Sequence, residues 1–354
     1  MPANRKGTMW IAVFLSAFFA MAVACALAAR INDPLIRFGC DDRPRFWGRG
    51  SLMNAGIIRH RDYEAVIIGS SVTQNFDMAF FRRAMGMEPI KLSLGGISVP
   101  EMLKFYEMVQ ARGTAKVIMI NIDVTGFDGD YDLDDPWGRL PRFMYEDGAL
   151  NDLRYCLMYE VWFRFIPVNL ALRGILAAGL SYANVSDRVN IDRMDDRGGD
   201  FTPSKEKVLA NYTKHRAAEK KRPSASAARM KRNIDAFLFR VLGERREGQS
   251  VVFAFPPYSV LYWWDAVKDG NFEAIMDAEE FFVERCAGSA RVVDMQDIDE
   301  IADLDNYGDS VHYGPKVQAL YAEALLDGTR DLTPASFPAR RARLEELVRE
   351  AKLD

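Results

Sequence analysis

Two short segments of the 354-residue chain carry side chains whose types and spacing suit nucleophilic catalysis. The first is Gly69-Ser70-Ser71, which follows directly on the apolar run Glu64-Ala65-Val66-Ile67-Ile68. A serine on a tight glycine turn, at the carboxyl end of a strand, stands where open α/β sheets place their active sites. Backbone N–H groups face outward there and can hold an anion. Taken alone, the same residues fit an ordinary turn and helix cap. The second segment is Asp309-Ser310-Val311-His312-Tyr313. An aspartate three residues before a histidine lets one turn bring both side chains together. The carboxylate then fixes the imidazole tautomer and stabilises the imidazolium formed when a serine loses its proton. The plain alternative is a turn cap beside a surface histidine.

The elements that must position these residues follow from hydrophobic patterning. Strands are expected over 64–69, 90–94, 116–121, 250–255 and 291–294, short apolar runs of which the first, second and fourth are stopped by Gly or Pro. Their continuous rather than alternating apolarity implies cover on both faces, as in parallel sheets. Helical patterns over 78–85, 99–112, 227–242 and 272–287 separate them, and a last helix over 316–326 follows the Asp-His segment. The expected fold is therefore α/β, a three-layer αβα sandwich around a mainly parallel five-stranded sheet. Residues 31–62 read as a connector with little periodicity, and 63–330 as the α/β domain. A long insertion over about 126–225 holds an aromatic-rich helix (151–165), an apolar helix (168–182) and a polar, basic tract (192–226). Such an insertion serves as a lid, a binding surface or a partly disordered segment. The charged tail of 331–354, helical over 339–353, reads as a solvated helix.

Composition excludes several classes. A formal charge of −4 argues against general nucleic-acid binding. Four scattered cysteines make no disulfide scaffold, and three histidines leave little for a metal site. No metal or cofactor is expected. The stretch Met9–Ala29 lacks any charge, follows Arg5 and Lys6, and is long enough to span a bilayer. Basic residues before it favour a cytoplasmic N-terminus, with the rest of the chain outside. A single-pass anchor over 1–30 is the preferred reading. Ala26-Leu27-Ala28 as a signal-peptidase site and Ala22-Val23-Ala24-Cys25 as a lipoprotein box remain alternatives, and both also imply export.

The order of motifs resembles the SGNH/GDSL hydrolase family, within it the branch similar to the D-alanyl transfer protein of lipoteichoic acid synthesis and to alginate O-acetylation proteins. Gly69-Ser70-Ser71-Val72-Thr73-Gln74-Asn75-Phe76 resembles that branch's first block, which makes Ser71 the nucleophile, and Asp309 and His312 the rest of the triad. The family's second block implies Gly96, in Leu94-Gly95-Gly96-Ile97-Ser98, as an oxyanion donor beside the N–H of Ser71. Where the third block supplies an asparagine, this chain has Asp123. A carboxylate there repels a developing oxyanion, and loss of one donor costs on the order of 10²–10³ in rate. Asn121, two residues earlier on the same strand face, is the candidate substitute. The resemblance covers about residues 64–325, without the insertion.

Ser70, Gln74, Pro257 and Tyr258 are the candidate substrate contacts. Trp263 and Trp264 suit sugar stacking or plain packing. His60 and His215 read as surface residues, and the basic run 214–222 as a solvated face. Together these expectations describe a membrane-anchored serine esterase or O-acyltransferase acting on an acylated carbohydrate or polymer of the cell envelope. The family implies a membrane-bound O-acyltransferase as partner. The rivals are a non-catalytic glycan-binding or assembly protein of the same fold, and a lipase or thioesterase at the membrane surface.

Overall fold

A computed structural model describes residues 5–39, 45, 49–74, 76–135, 137–179, 202–218 and 224–351. Helices α1 (Arg5–Asn32) and α2 (Gly50–His60) precede strand β1 (Ala65–Gly69). Next come α3 (Met78–Met85), β2 (Pro89–Ser93), α4 (Val99–Arg112) and β3 (Val117–Asn121). Four helices follow: α5 (Arg142–Tyr145), α6 (Ala149–Cys156), α7 (Ile166–Ala177) and α8 (Lys205–Ala218). Then α9 (Ala227–Gly243), β4 (Ser250–Phe255), α10 (Val260–Lys268) and α11 (Phe272–Cys286) lead to β5 (Arg291–Asp294). Helices α12 (Pro315–Asp327) and α13 (Phe337–Glu350) complete the described chain. The sheet, with α3, α4 and α8–α13, forms one compact unit, and α1, α2 and α5–α7 form another.

All five strands are parallel, in the order β2-β1-β3-β4-β5. The chain is thus α/β with a fully parallel sheet, and the expected strand bounds differ from those observed only at terminal residues. Every residue of β1 and β2 is buried. Because successive side chains point to opposite faces, both faces of these strands are covered. On β4, Phe253 and Phe255 meet Phe282 edge-on, with ring centroids 5.1 and 5.6 Å apart. Val252 and Ala254 pack instead into the apolar cluster of Ile67, Met119 and Val293. From β1 the chain runs to β2 on one side and returns to β3 on the other. Their carboxyl ends therefore flank a topological switch point, the place where such sheets open a crevice for ligands.

In the second unit, α1 carries a stretch, Gly7–Asn32, that is long and apolar enough to cross a membrane, with a mean hydropathy of 2.5 over an 18-residue window. It ends at Asp33, whose carboxylate accepts the N–H groups of Arg37, Phe38 and Gly39 at 2.8–3.0 Å and the Tyr155 hydroxyl at 2.9 Å. The Arg37 guanidinium, 6% exposed, donates to Asp152 and to the carbonyls of Met144 and Glu146. Residues 50–60, expected within an aperiodic connector, are the helix α2. Within α2, a Cβ on Gly56 would lie 2.0 Å from the Ile36 carbonyl oxygen. The bareness of Gly56 serves a close approach.

The expected single helix over 151–165 is broken. α6 stops at Cys156, and a π-helical turn over Val161–Phe165 leads into α7. Residues 180–182 of the apolar helix, 192–201 and 219–223 of the basic tract, and the His215 side chain lie outside the described residues. The tail is also corrected. Helix α13 buries Phe337, Arg340, Leu344, Leu347 and Val348, so only one side of it is solvated.

Candidate active site

The loop after β1 is tight because Gly69 has no side chain. A Cβ there would come within 2.5 Å of Thr73 Cγ2 and 3.0 Å of Asn121 Cβ. Ser71 opens a 3-10 turn over Ser71–Thr73, and the Thr73 hydroxyl ties it down by donating to the Ser70 carbonyl at 2.9 Å. The second loop is closed on itself. Tyr307 bridges to Tyr313, and the Gly308 N–H donates to the His312 carbonyl at 2.9 Å. Two further bonds hold it to the ends of β4 and β1. The Ser259 hydroxyl donates to the Ser310 carbonyl at 2.8 Å, and the buried Tyr313 hydroxyl to the Val72 carbonyl at 2.7 Å.

Within this frame Ser71 Oγ lies 2.7 Å from His312 Nε2. On the other side of the ring, His312 Nδ1 lies 2.6 Å from Asp309 Oδ2 and 2.8 Å from Oδ1. Asp309 Oδ1 also accepts the N–H groups of Val311 and His312, at 2.9 and 2.8 Å. Burial pushes the Asp309 carboxyl up, but the hydrogen bond and charge of His312 and these two N–H groups outweigh it, leaving it below the ordinary aspartate range. An ionised Asp309 fixes the proton on Nδ1, so Nε2 is free to accept from the serine hydroxyl. Residues 241 positions apart thus form a continuous hydroxyl–imidazole–carboxylate relay.

Beside it opens a cavity of about 170 Å³, lined by Ser70, Ser71, Gly96, Asn121, Asp123 and Tyr258 among others, with Ile97, Val99, Met102 and Val311 as apolar walls. Gly96 sits at φ +57°, a conformation that L side chains rarely adopt. Its carbonyl accepts from Arg139 at 2.6 Å, and Arg139 also pairs with the fully buried Glu101 carboxylate that closes the capping box of α4. Neither the Ser71 N–H nor the Gly96 N–H takes a partner among the described residues. Both are therefore available to an incoming oxygen.

Asn121 is almost fully buried, with its Nδ2 donating to Tyr321 at 2.8 Å while Oδ1 has no partner. The carboxylate of Asp123 is well held: Oδ1 accepts from the Thr125 N–H and hydroxyl at 3.0 and 2.6 Å, and Oδ2 from Tyr258 at 3.1 Å. Burial first, and the Asp123 charge second, raise the Tyr258 hydroxyl well above its ordinary value, so it stays a donor.

Gln74 and Pro257 lie outside the cavity lining. The Gln74 carbonyl accepts from the buried Lys91 ammonium, and the Pro257 carbonyl from Tyr307 at 2.7 Å, so both brace the loops. Trp263 is buried in the core, and Lys268 covers the Trp264 ring at 3.5 Å. His60 is half-buried, its Nε2 3.1 Å from the Arg37 carbonyl. Sequence reasoning passed over Tyr313, Arg139 and Glu101. Only the position of Tyr313 beside His312 hinted at its role. A larger open depression of about 860 Å³, at the amino ends of β4 and β5, is lined by Arg245, Arg246 and Arg291. It contains no serine–histidine pair. Among the described residues no cluster of three or more His, Cys, Asp or Glu side chains is placed to hold a metal ion.

No family model matches the chain, and no curated protein matches its sequence.

Proposed function

We propose that this protein is a serine esterase or O-acyltransferase of SGNH/GDSL type, with a three-layer αβα domain carried on a membrane anchor formed by α1. The observation that carries the reading is the contact of 2.7 Å between Ser71 Oγ and His312 Nε2, with Asp309 at 2.6 Å from the far nitrogen. In this mechanism Ser71 Oγ attacks an acyl carbonyl carbon while its proton passes to His312 Nε2, and Asp309 stabilises the imidazolium. The N–H groups of Ser71 and Gly96 hold the oxyanion. The C–O bond to the leaving alcohol breaks as His312 returns the proton to that oxygen. Water or a carbohydrate hydroxyl, deprotonated by His312, then takes the acyl group and frees Ser71.

A cavity of about 170 Å³ is close to the ~150 Å³ that takes up a benzene-sized molecule, which suits a short acyl group better than a fatty chain. This favours esterase or transferase over lipase. The acceptor is proposed to be a cell-envelope carbohydrate or polymer, with a membrane-bound O-acyltransferase supplying the acyl group. One observation favours a second reading, a non-catalytic glycan-binding or assembly protein: the Asp123 carboxylate lines the cavity where a donor is wanted. A fluorophosphonate probe on the solubilised full-length protein separates the two. The wild type should label covalently, and Ser71→Ala should not, at unchanged thermal stability. A well-folded wild type that resists the probe would defeat the catalytic reading.

A further inference from the structure

We infer that the hairpin formed by α6, the π-helical turn and α7 lies in the membrane interface, its apolar side chains immersed in lipid beside the anchor. The inference rests on reading α1 as a membrane span. Leu150 and Leu153 on α6 and Leu157 at its C-terminal cap recur at i, i+3, i+7 spacing, and all three are exposed, while Tyr155 and Cys156 turn inward. The stripe continues through Tyr159 and Phe163, whose rings stack 4.8 Å apart, to Leu170. Leu150, Leu157, Tyr159, Phe163 and Leu170 each leave more than half of their surface exposed. A contiguous apolar patch of this kind on a protein surface marks a binding partner or a membrane.

Three features identify lipid as that partner. First, the patch is continuous with the anchor. Cys156 Sγ lies 3.8 Å from the Ala26 carbonyl, Tyr155 bonds to Asp33, and Leu27 and Ile31 at the same end of α1 are themselves exposed. Any bilayer that surrounds α1 therefore meets the hairpin at the point where the span ends. Second, the residues are those of an interface. Tyr159, Trp162 and Phe163 supply aromatic rings, and the exposed Arg154 and Arg164, whose guanidinium groups lie over the Phe143 and Phe165 rings, supply cations of the kind that accompany apolar surface at a headgroup boundary. Third, the length is wrong for a second crossing. The π turn has 5 residues and α7 has 12, which together reach about 25 Å at 1.5 Å per residue, short of the ~30 Å hydrocarbon core. The hairpin rests in the boundary, not across it.

Nitroxide labels test this on the full-length protein in vesicles of phosphatidylcholine and phosphatidylglycerol. Single cysteines replace Leu157, Phe163 and Leu170 in a Cys25→Ala, Cys40→Ala background. The buried Cys156 and Cys286 remain, and the background without an added cysteine checks that they stay unlabelled. Labels at Phe19, within α1, and at the exposed Glu323 give the lipid and water references. The expected result is that all three labels shift toward the Phe19 behaviour, relaxed by dissolved oxygen and shielded from a nickel chelate. Access to the chelate equal to that at Glu323, with Phe19 in lipid, overturns the inference and leaves the anchor standing. Shielding from both reagents together with dipolar broadening between labels assigns the patch to a second copy of the chain and also overturns it. A Phe19 label in water would instead sink the span.

Discussion

At Asp309 one carboxylate meets two needs, and the two are separable by substitution. Its oxygens receive the His312 ring N–H and two backbone N–H groups, so it both shapes the loop and sets the imidazole tautomer. Asparagine keeps the shape but offers the ring the wrong partner. Asp309→Asn is therefore expected to lower the acylation rate by about 10⁴-fold while leaving Ser71 in place, measured as the second-order rate of probe labelling. Because the folded carboxyl titrates below its ordinary value near 3.8, its contribution to stability is complete above that pH and lost as pH falls through the lower folded value. The denaturation free energy of wild type minus that of Asp309→Asn should then be flat at neutral and weakly acidic pH and shrink only in stronger acid. Asp123 makes the opposite case. It faces the cavity as an anion, and Asp123→Asn removes that charge while keeping an acceptor for Thr125. A gain of about 10-fold or more in kcat/KM on a neutral short-chain ester is expected, given that one oxyanion donor is worth 10²–10³. A loss would mean that the carboxylate itself contacts the substrate. The pair Asp309-His312 was legible in the sequence because a turn joins residues three apart. The hydrogen bond of Tyr313 to the Val72 carbonyl was not, since nothing local links positions 241 apart.

The strands were legible for a physical reason: a run such as Val66-Ile67-Ile68 buried on both faces has no polar side to confuse its period. Elements whose glycines and charges serve packing were not. The low periodicity of 31–62 concealed α2, and the arginines of α13 suggested a solvated helix, although Arg340 is 5% exposed and holds Asp294 and Glu279 at 2.9 and 2.7 Å. A buried guanidinium between two carboxylates is invisible to a pattern that counts charge as surface. This cluster docks α13 against β5 and α11, and it makes a prediction of its own. Burial, with the Asp294 charge, pushes Glu279 up to about 7 against the pull of Arg340. A carboxyl raised from its ordinary 4.5 binds its proton better in the folded state, so stability is greatest below that value and declines as pH rises toward about 7. Urea titrations should show the wild type losing stability across this window relative to Glu279→Gln, which stays neutral. Parallel curves for the two proteins would place the charge elsewhere in the cluster.

With α1 read as a membrane span, the side on which the α/β unit lies decides what the candidate site can reach. Counted naively, the flanks of the uncharged stretch Met9–Ala29 point the wrong way: Arg5 and Lys6 precede it, while Arg30, Arg37, Arg43, Arg45 and Arg49 follow. The positive-inside bias, however, is set by short loops, and a long domain translocates largely regardless of its charge. On that rule Arg5 and Lys6, not the arginines of the long domain, are proposed to set the orientation. Alkaline phosphatase, whose disulfides form only outside the cytoplasm, is expected to be active when fused after Asp354, and a green fluorescent protein fused there to be dark. The reverse pattern would put Ser71 in the cytoplasm. The triad chemistry would survive that result, but envelope polymers would be out of its reach, and the acyl acceptor would have to be sought among cytoplasmic alcohols.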